Sequence, residues 1–346
     1  MGYASWLLIF APVAAALGWW LHAPATWVFA AAALAIIPLS AQLGRATEDL
    51  AAHTSATLGG LLNATLGNAA ELIITVMALR AGLIDLVKAS IIGSIIGNLL
   101  LVLGASLFAG GMKHRALRFG VQAAAEAASM MTLSVAALVI PAVLLLTHPH
   151  RRVLPLDVSV VVAAVLIVTY CAGLFFSLRT HAALVTARGE GEVPRRSARQ
   201  AGIALLLATI GIALMSELLV GATEEAAAAL GLSQMFVGII VVPIVGNAAE
   251  HTSALWMAVR NKADLAFAIT IGSCTQIALF VAPVLVFLAL ALGRRMDFVF
   301  APLEVVAVAA AVAIVNVVAH DGESNWFEGA QLLAVYLILA AAFFYY

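Results

Sequence analysis

Apolar residues fill this chain in runs of about 20 separated by short polar breaks, the pattern of helices that cross about 30 Å of hydrocarbon. Eleven such windows are expected, near 4–21, 26–43, 58–80, 85–109, 120–146, 154–177, 201–220, 235–259, 264–291, 298–318 and 326–345. The predicted fold is an all-α integral membrane protein with about 11 transmembrane helices.

Composition sharpens this. Of 346 residues, 64% are apolar and 10% charged, against roughly 25% charged in a soluble domain, and mean hydropathy is +1.10. A soluble enzyme, a disordered scaffold and a nucleic-acid binder are thereby excluded, the last because it needs a basic face. The net charge of -1 adds nothing further. Cys171 and Cys274 both lie in apolar runs and form neither a disulfide framework nor a metal-finger spacing. The opening MGYASWLLIFAPVAAALGWWL has no basic start or clear cleavage site, so it is expected to be a retained span. With eleven crossings the termini face opposite sides. Basic residues such as Arg45, Lys113, Arg118, Arg196 and Arg260 favour the N-terminal side, while Arg80, Lys88, Arg151 and Arg294 are among the fewer on the other. That bias expects a cytoplasmic N-terminus in a multi-pass protein of the cell (inner) membrane.

The chain also repeats itself. The segment from Gly67, GNAAELIITVMALRAGLIDLVKASIIGSIIGNLLLV, aligns without gaps with GNAAEHTSALWMAVRNKADLAFAITIGSCTQIALFV from Gly246. Gly67 to Glu71 match Gly246 to Glu250, Asp85 matches Asp264, and Ser94 matches Ser273. A weaker echo relates ATED at Ala46 to ATEE at Ala222. Each copy covers five helices, and an odd number makes the second copy enter the membrane from the opposite side. The expected organisation is an N-terminal helix in 1–25, a first five-helix repeat in 26–177, a cytoplasmic linker in 178–200 and an inverted repeat in 201–346. Inverted repeats characterise secondary transporters, with a substrate site near the midplane, rather than membrane enzymes.

Glu71 and Glu250 sit in the middle of apolar spans, where an ionised carboxylate costs at least about 2.5 kcal/mol. The 17 Lys and Arg fall in loops and span ends, so neither acid has an obvious basic partner at its depth. Taking up protons and sharing a cation are the two remaining ways to neutralise them, and together they describe an exchanger. All-oxygen chemistry suits a hard ion such as Ca²⁺, which accepts 6 to 8 ligands. Further oxygens are expected from Asn68, Asn247, Ser94, Ser273, Asn98 and Gln276. Asn68 and Asn247 each precede a glutamate by three residues, on the same helix face. Asn and Ser in membrane helices also serve as packing contacts, so each amide or hydroxyl alone is weaker evidence than the duplicated acids. Gly67 and Gly246 permit local unwinding, and Pro243, which corresponds to Ala64, predicts that the two halves differ in shape.

GNAAEL at 67–72 with GSIIGN at 93–98, and GNAAEH at 246–251 with GSCTQIAL at 272–279, resemble the paired motifs of the Ca²⁺/H⁺ exchangers, the proton-coupled branch of the cation/Ca²⁺ antiporter superfamily. The likeness covers the chain from about residue 26 onward. It implies ten core helices plus an N-terminal one, alternating access, and Glu71 and Glu250 as shared Ca²⁺ and H⁺ ligands, with Asn68, Asn247, Ser94, Ser273 and Gln276 lining the site. The sodium-coupled branch typically carries a T-S-x-P-E type of motif, absent here. The linker sequence TARGEGEVPRRSARQ has only Glu190 and Glu192 among basic residues, unlike the acidic stretch of many members, which speaks against Ca²⁺ regulation at that loop.

Secondary candidates follow. Glu48, Asp49, Glu224 and Glu225 are expected just beyond the second and seventh spans, as entrance or gating groups or as solvated helix ends. His251 and Glu217 are candidates for proton coupling. The expected partners are Ca²⁺, H⁺ and the lipid bilayer, with no nucleic acid and no cofactor; Ca²⁺ is cargo. A homo-oligomer is left open. The alternative is a proton antiporter for Mn²⁺, Na⁺ or K⁺, since oxygen ligation alone does not separate Ca²⁺ from Mn²⁺.

Overall fold

The structure, a computed structural model, describes residues 5–147, 154–180 and 194–346. Helices run through the expected windows among the described residues, but those at 58–80 and 235–259 are each broken in two and the helix of 298–318 starts only at Pro302. The helices are α1 (Ser5–Trp20), α2 (Ala25–Ala52), α3 (Ala56–Leu66), α4 (Ala69–Ala81), α5 (Ile84–His114), α6 (Val121–Thr147), α7 (Leu156–Arg179), α8 (Ala198–Leu230), α9 (Gln234–Gly246), α10 (Ala248–Val259), α11 (Ala263–Ala291), α12 (Pro302–Val318) and α13 (Trp326–Tyr345). Among the described residues seven helices are long and apolar enough to cross a membrane, or nine if the bent pairs α3–α4 and α9–α10 each count as one span. The first and tenth expected spans are the shorter helices α1 and α12. Of the residues used for orientation, Arg151, Arg152 and Arg188 lie outside the described residues, as does the rest of linker segment 181–193 with Glu190 and Glu192.

The surface is as apolar as lipid demands. Val161, Val165 and Val168 on α7 and Leu337 and Ile338 on α13 are each more than half exposed, so the chain is a multi-span membrane protein. In a bilayer every backbone polar group needs an internal partner, and helices supply it. Two stops use glycine in the left-handed region: Gly82 (φ 87°) ends α4 and Gly231 (φ 67°) ends α8.

The chain forms two compact units, Met1–Val87 with Gly173–Ala249, and Lys88–Ala172 with Glu250–Tyr346, each drawing on both copies of the repeat. In the first unit α2 packs along α8, with Leu39 filling the space above Gly211. Both helices outrun expectation, reaching Ala52 and Leu230 instead of 43 and 220, so ATED and ATEE lie on their last helical turns, not beyond them. Ala, Glu and Leu favour helix there, and the threonines satisfy their hydroxyls locally: Thr47 donates to Leu43 O (3.0 Å) and Thr223 to Leu219 O (2.7 Å).

In the second unit α5 and α13 pack through glycine. A Cβ on Gly111 would land on the Trp326 backbone, and one on Gly329 on the Phe108 backbone. Strands β1 (Leu117–Arg118) and β2 (Glu323–Ser324) pair antiparallel, Leu117 opposite Ser324. Beside them Phe119 stacks on Phe267 at 4.0 Å and Asp264 Oδ1 accepts from Gly120 N (2.6 Å).

Because the clash at Gly329 is with backbone, Gly329→Ala is expected to destabilise the detergent-solubilised protein by about 1–3 kcal/mol, read as a lower thermal midpoint. Gly202→Ala on α8, where a Cβ meets nothing within 4 Å, is expected to be neutral or slightly stabilising.

Candidate functional site

The GNAAE motif breaks a helix twice. In the first copy the chain leaves α3 at Gly67–Asn68 and restarts as α4 with a 41° bend; in the second it leaves α9 at Asn247 and restarts as α10 with a 64° bend. The local cause is visible in the second copy. Pro243 has no N–H to give, and its carbonyl receives both the backbone N–H of Asn247 (2.9 Å) and its side-chain amide (3.2 Å). The larger bend falls in the copy with the proline.

The break changes what the glutamates are. Each stands in the first turn of a new helix, Glu71 on α4 and Glu250 on α10. The positive dipole end of a helix start favours an anion there. Within the first unit Glu71 is 5% exposed, with Asn68 and Asn247 also buried. Its carboxyl group lies over Gly246, where a Cβ would come within 3.1 Å of Oε1. The acid of one copy thus rests on the glycine of the other copy's motif, a close approach that a side chain at 246 would crowd.

In the second unit a polar chain leads to the other acid. Asn98 Nδ2 donates to Ser273 Oγ (2.9 Å), and Ser273 hydrogen-bonds the Glu250 carboxylate. An ionised carboxylate can only accept, so the Ser273 hydroxyl donates to Glu250 in that state, while its oxygen keeps a second lone pair for a protonated acid. Glu250 is half-buried and makes no ion pair among the described residues; its Oε2, Asn98 Oδ1 and His251 Nε2 are buried without a hydrogen-bond partner. Ser94 is buried and Gln276 half-buried. Next to Ser273, Cys274 donates its thiol to Ile95 O (3.5 Å), a residue 179 positions earlier and therefore its own repeat mate. α5 and α11 therefore meet at corresponding positions of the two copies. Both helices widen here into corresponding π-helical turns, Gly97–Val102, which carries Asn98, and Ile277–Val281, which begins just after Gln276.

The secondary candidates are elsewhere on their helices. Asp49 is buried at the end of α2 and holds the residues before α8: Oδ1 accepts from Arg195 N (2.9 Å), and Arg196 Nε lies 3.9 Å from Oδ2. His53 bonds Arg196 O (2.7 Å). Glu48 and Glu225 are exposed, Glu224 accepts from Gln234 Nε2 (2.9 Å), and Glu217 is exposed on α8. Sequence reasoning missed the Lys88–Asp297 ion pair (2.8 Å) and the continuation of the repeat into the loops, where Leu117 and Phe119 correspond to Met296 and Phe298. The same 179-residue offset was the available signal. Among the described residues no three His, Cys, Asp or Glu side chains gather as a metal site; a cation here would rely largely on neutral oxygens.

Comparison with known proteins agrees with this architecture. The model of the family described as sodium/calcium exchanger protein matches residues 24–179 and 201–345. A protein of Aphanothece halophytica named Ca(2+)/H(+) antiporter is 45% identical over 98% of this chain and 95% of its own length. The solved structure of native YfkE superposes with a TM-score of 0.86 at 40% identity, covering 98% of this chain and 99% of that one. An H⁺/Ca²⁺ exchanger CAX, at 15% identity and a TM-score of 0.74 over 99% of this chain and 91% of its own, shares the fold.

The seat of Glu71 gives a direct test. A methyl group on Gly246 must push the carboxyl group aside by a few tenths of an ångström. Gly246→Ala is therefore expected to displace the Glu71 carboxyl group in a crystal structure of the variant while the thermal midpoint shifts little.

Proposed function

The chain belongs to the sodium/calcium exchanger protein family, and on that footing we propose that it is a secondary antiporter, not an enzyme, that exchanges Ca²⁺ for H⁺ across the cell membrane by alternating access, with its N-terminus in the cytoplasm. Glu71 and Glu250 are the groups that take Ca²⁺ and protons in turn. The observation that carries the reading is the duplicated carboxylate at the start of a broken helix, with Glu71 seated on the second copy's Gly246, four residues ahead of Glu250.

Two carboxylates neutralise one Ca²⁺ or hold two protons, so the loaded and the protonated forms are alike in charge, and either passes through an apolar interior at lower cost than the empty anionic form. The remaining oxygens of a 6- to 8-ligand shell come from Asn68, Asn247, Ser94, Ser273, Asn98 and Gln276. The Asn98–Ser273–Glu250 chain orients the second acid by a hydroxyl that turns to either protonation state. His251, with its Nε2 unbonded, is the proposed relay for protons beside Glu250. Glu217, exposed on α8, has no part in this reading.

The sign of the pH dependence follows from competition: protons fill the acids as pH falls, so the apparent KM for Ca²⁺ rises on the acidified side while the rate at saturating Ca²⁺ changes less. In proteoliposomes with an imposed pH gradient, Glu71→Gln and Glu250→Gln are each expected to abolish pH-driven Ca²⁺ uptake, because Gln keeps the volume and removes the charge. Full exchange in either variant removes that acid from the coupling pair. Stronger competition against ⁴⁵Ca²⁺ uptake by Mn²⁺, Na⁺ or K⁺ than by Ca²⁺ overturns the choice of ion.

A further inference from the structure

One charged contact in the second unit is absent from the corresponding place in the other copy. Lys88 lies six residues before Ser94 on α5, about 9 Å along the helix axis. Its ammonium donates to Asp297 Oδ1 at 2.8 Å and lies 5.8 Å from the centre of the Phe300 ring. Asp297 also accepts from Val299 N (3.1 Å), and the next residue, Phe298, donates its N–H to Ser159 Oγ (2.9 Å). The lysine side chain is 15% exposed and the aspartate 33%, whereas Asp85, Arg294 and Arg295 are exposed.

The repeat supplies the control. Lys88 corresponds to Phe267 and Asp297 to Arg118. There the loop is fixed by the Phe119–Phe267 stack and by Asp264 on Gly120 N, while Arg118 reaches out to the exposed Glu323 (3.3 Å). Holding this loop against its helix thus needs no lysine on the helix. A half-buried lysine and its counter-ion are costly to desolvate, and a pure fastening role does not explain them.

We propose that Asp297 is a positioning residue for cation exchange: by pairing Lys88 and holding it onto Phe300, it cancels a positive charge that would otherwise repel Ca²⁺ at the level of Ser94 and Asn98. The proposal rests on the function given above. An uncompensated charge carried on the same helix, its backbone position about 9 Å along the axis from that of Ser94, in surroundings far less polarisable than water, acts on binding and leaves the turnover of the bound ion largely alone.

The experiment is a charge cycle in proteoliposomes, measuring KM for Ca²⁺ and the maximal rate. Asp297→Asn is expected to raise KM about tenfold or more, with the maximal rate within about twofold. Lys88→Gln, which leaves the aspartate anionic, is expected to lower KM. The double variant Lys88→Gln/Asp297→Asn, neutral at both places, is expected to return KM to within about threefold of wild type. Lys88→Arg, which keeps the charge, is expected to behave as wild type. An unchanged KM in Asp297→Asn, single variants that both raise KM, or a double variant no better than Asp297→Asn would overturn the proposal, since a packing role gives the second or third result. Wild-type protein that moves no Ca²⁺ against protons defeats the proposed function itself; wild-type exchange with an unmoved KM in Asp297→Asn defeats this inference alone.

Discussion

A carboxylate inside a bilayer cannot stay both ionised and alone, and this chain imposes that constraint twice. The rest of the architecture accommodates it. A straight helix would leave Glu71 and Glu250 in mid-helix; breaking the helix just before each acid sets it in a first turn instead, at the positive end of a helix dipole. The residues that make the break are also the ones that make room, since Gly246 both ends α9 and gives Glu71 its seat.

The repeat places the same local solution in both of its copies. Where α5 and α11 meet, Cys274 touches its own mate Ile95. The departures from symmetry are as informative as the symmetry. Asn98 corresponds to Ile277, so one copy alone supplies the amide that holds Ser273. Pro243 corresponds to Ala64, and the bends are 64° and 41°. Lys88 corresponds to Phe267, so one end of the second unit carries an ion pair and the other an aromatic stack. A transporter whose two faces meet different ion concentrations has use for such differences.

Much of this was legible in the sequence, for physical reasons. Hydropathy found the long apolar helices among the described residues because lipid requires a long apolar run whatever the tertiary contacts. It misjudged the ends of α2 and α8 by nine and ten residues, because a helix continues into water when its last turns carry good helix formers and self-satisfied threonines. The acids, Asn98 and Ser273 stood out because polar residues are expensive in lipid. A hydropathy window, however, runs straight through a 64° bend, so it set Glu250 in mid-span instead of at a helix start. Alignment of the repeat gave correspondence without distance, so neither the Cys274–Ile95 contact nor the seat of Glu71 was visible. The Lys88–Asp297 pair joins residues 209 apart and had no local pattern to announce it.

The central claim is that metal and hydrogen ions compete for the same two acids. Proton release on Ca²⁺ addition to purified protein in weakly buffered detergent solution tests it most directly, since binding and deprotonation are then one event. The account predicts acidification that saturates with Ca²⁺ binding, shrinks in Glu71→Gln and in Glu250→Gln, and vanishes when both are changed. Ca²⁺ binding of undiminished affinity with no proton release, or release that persists in the double variant, would contradict it.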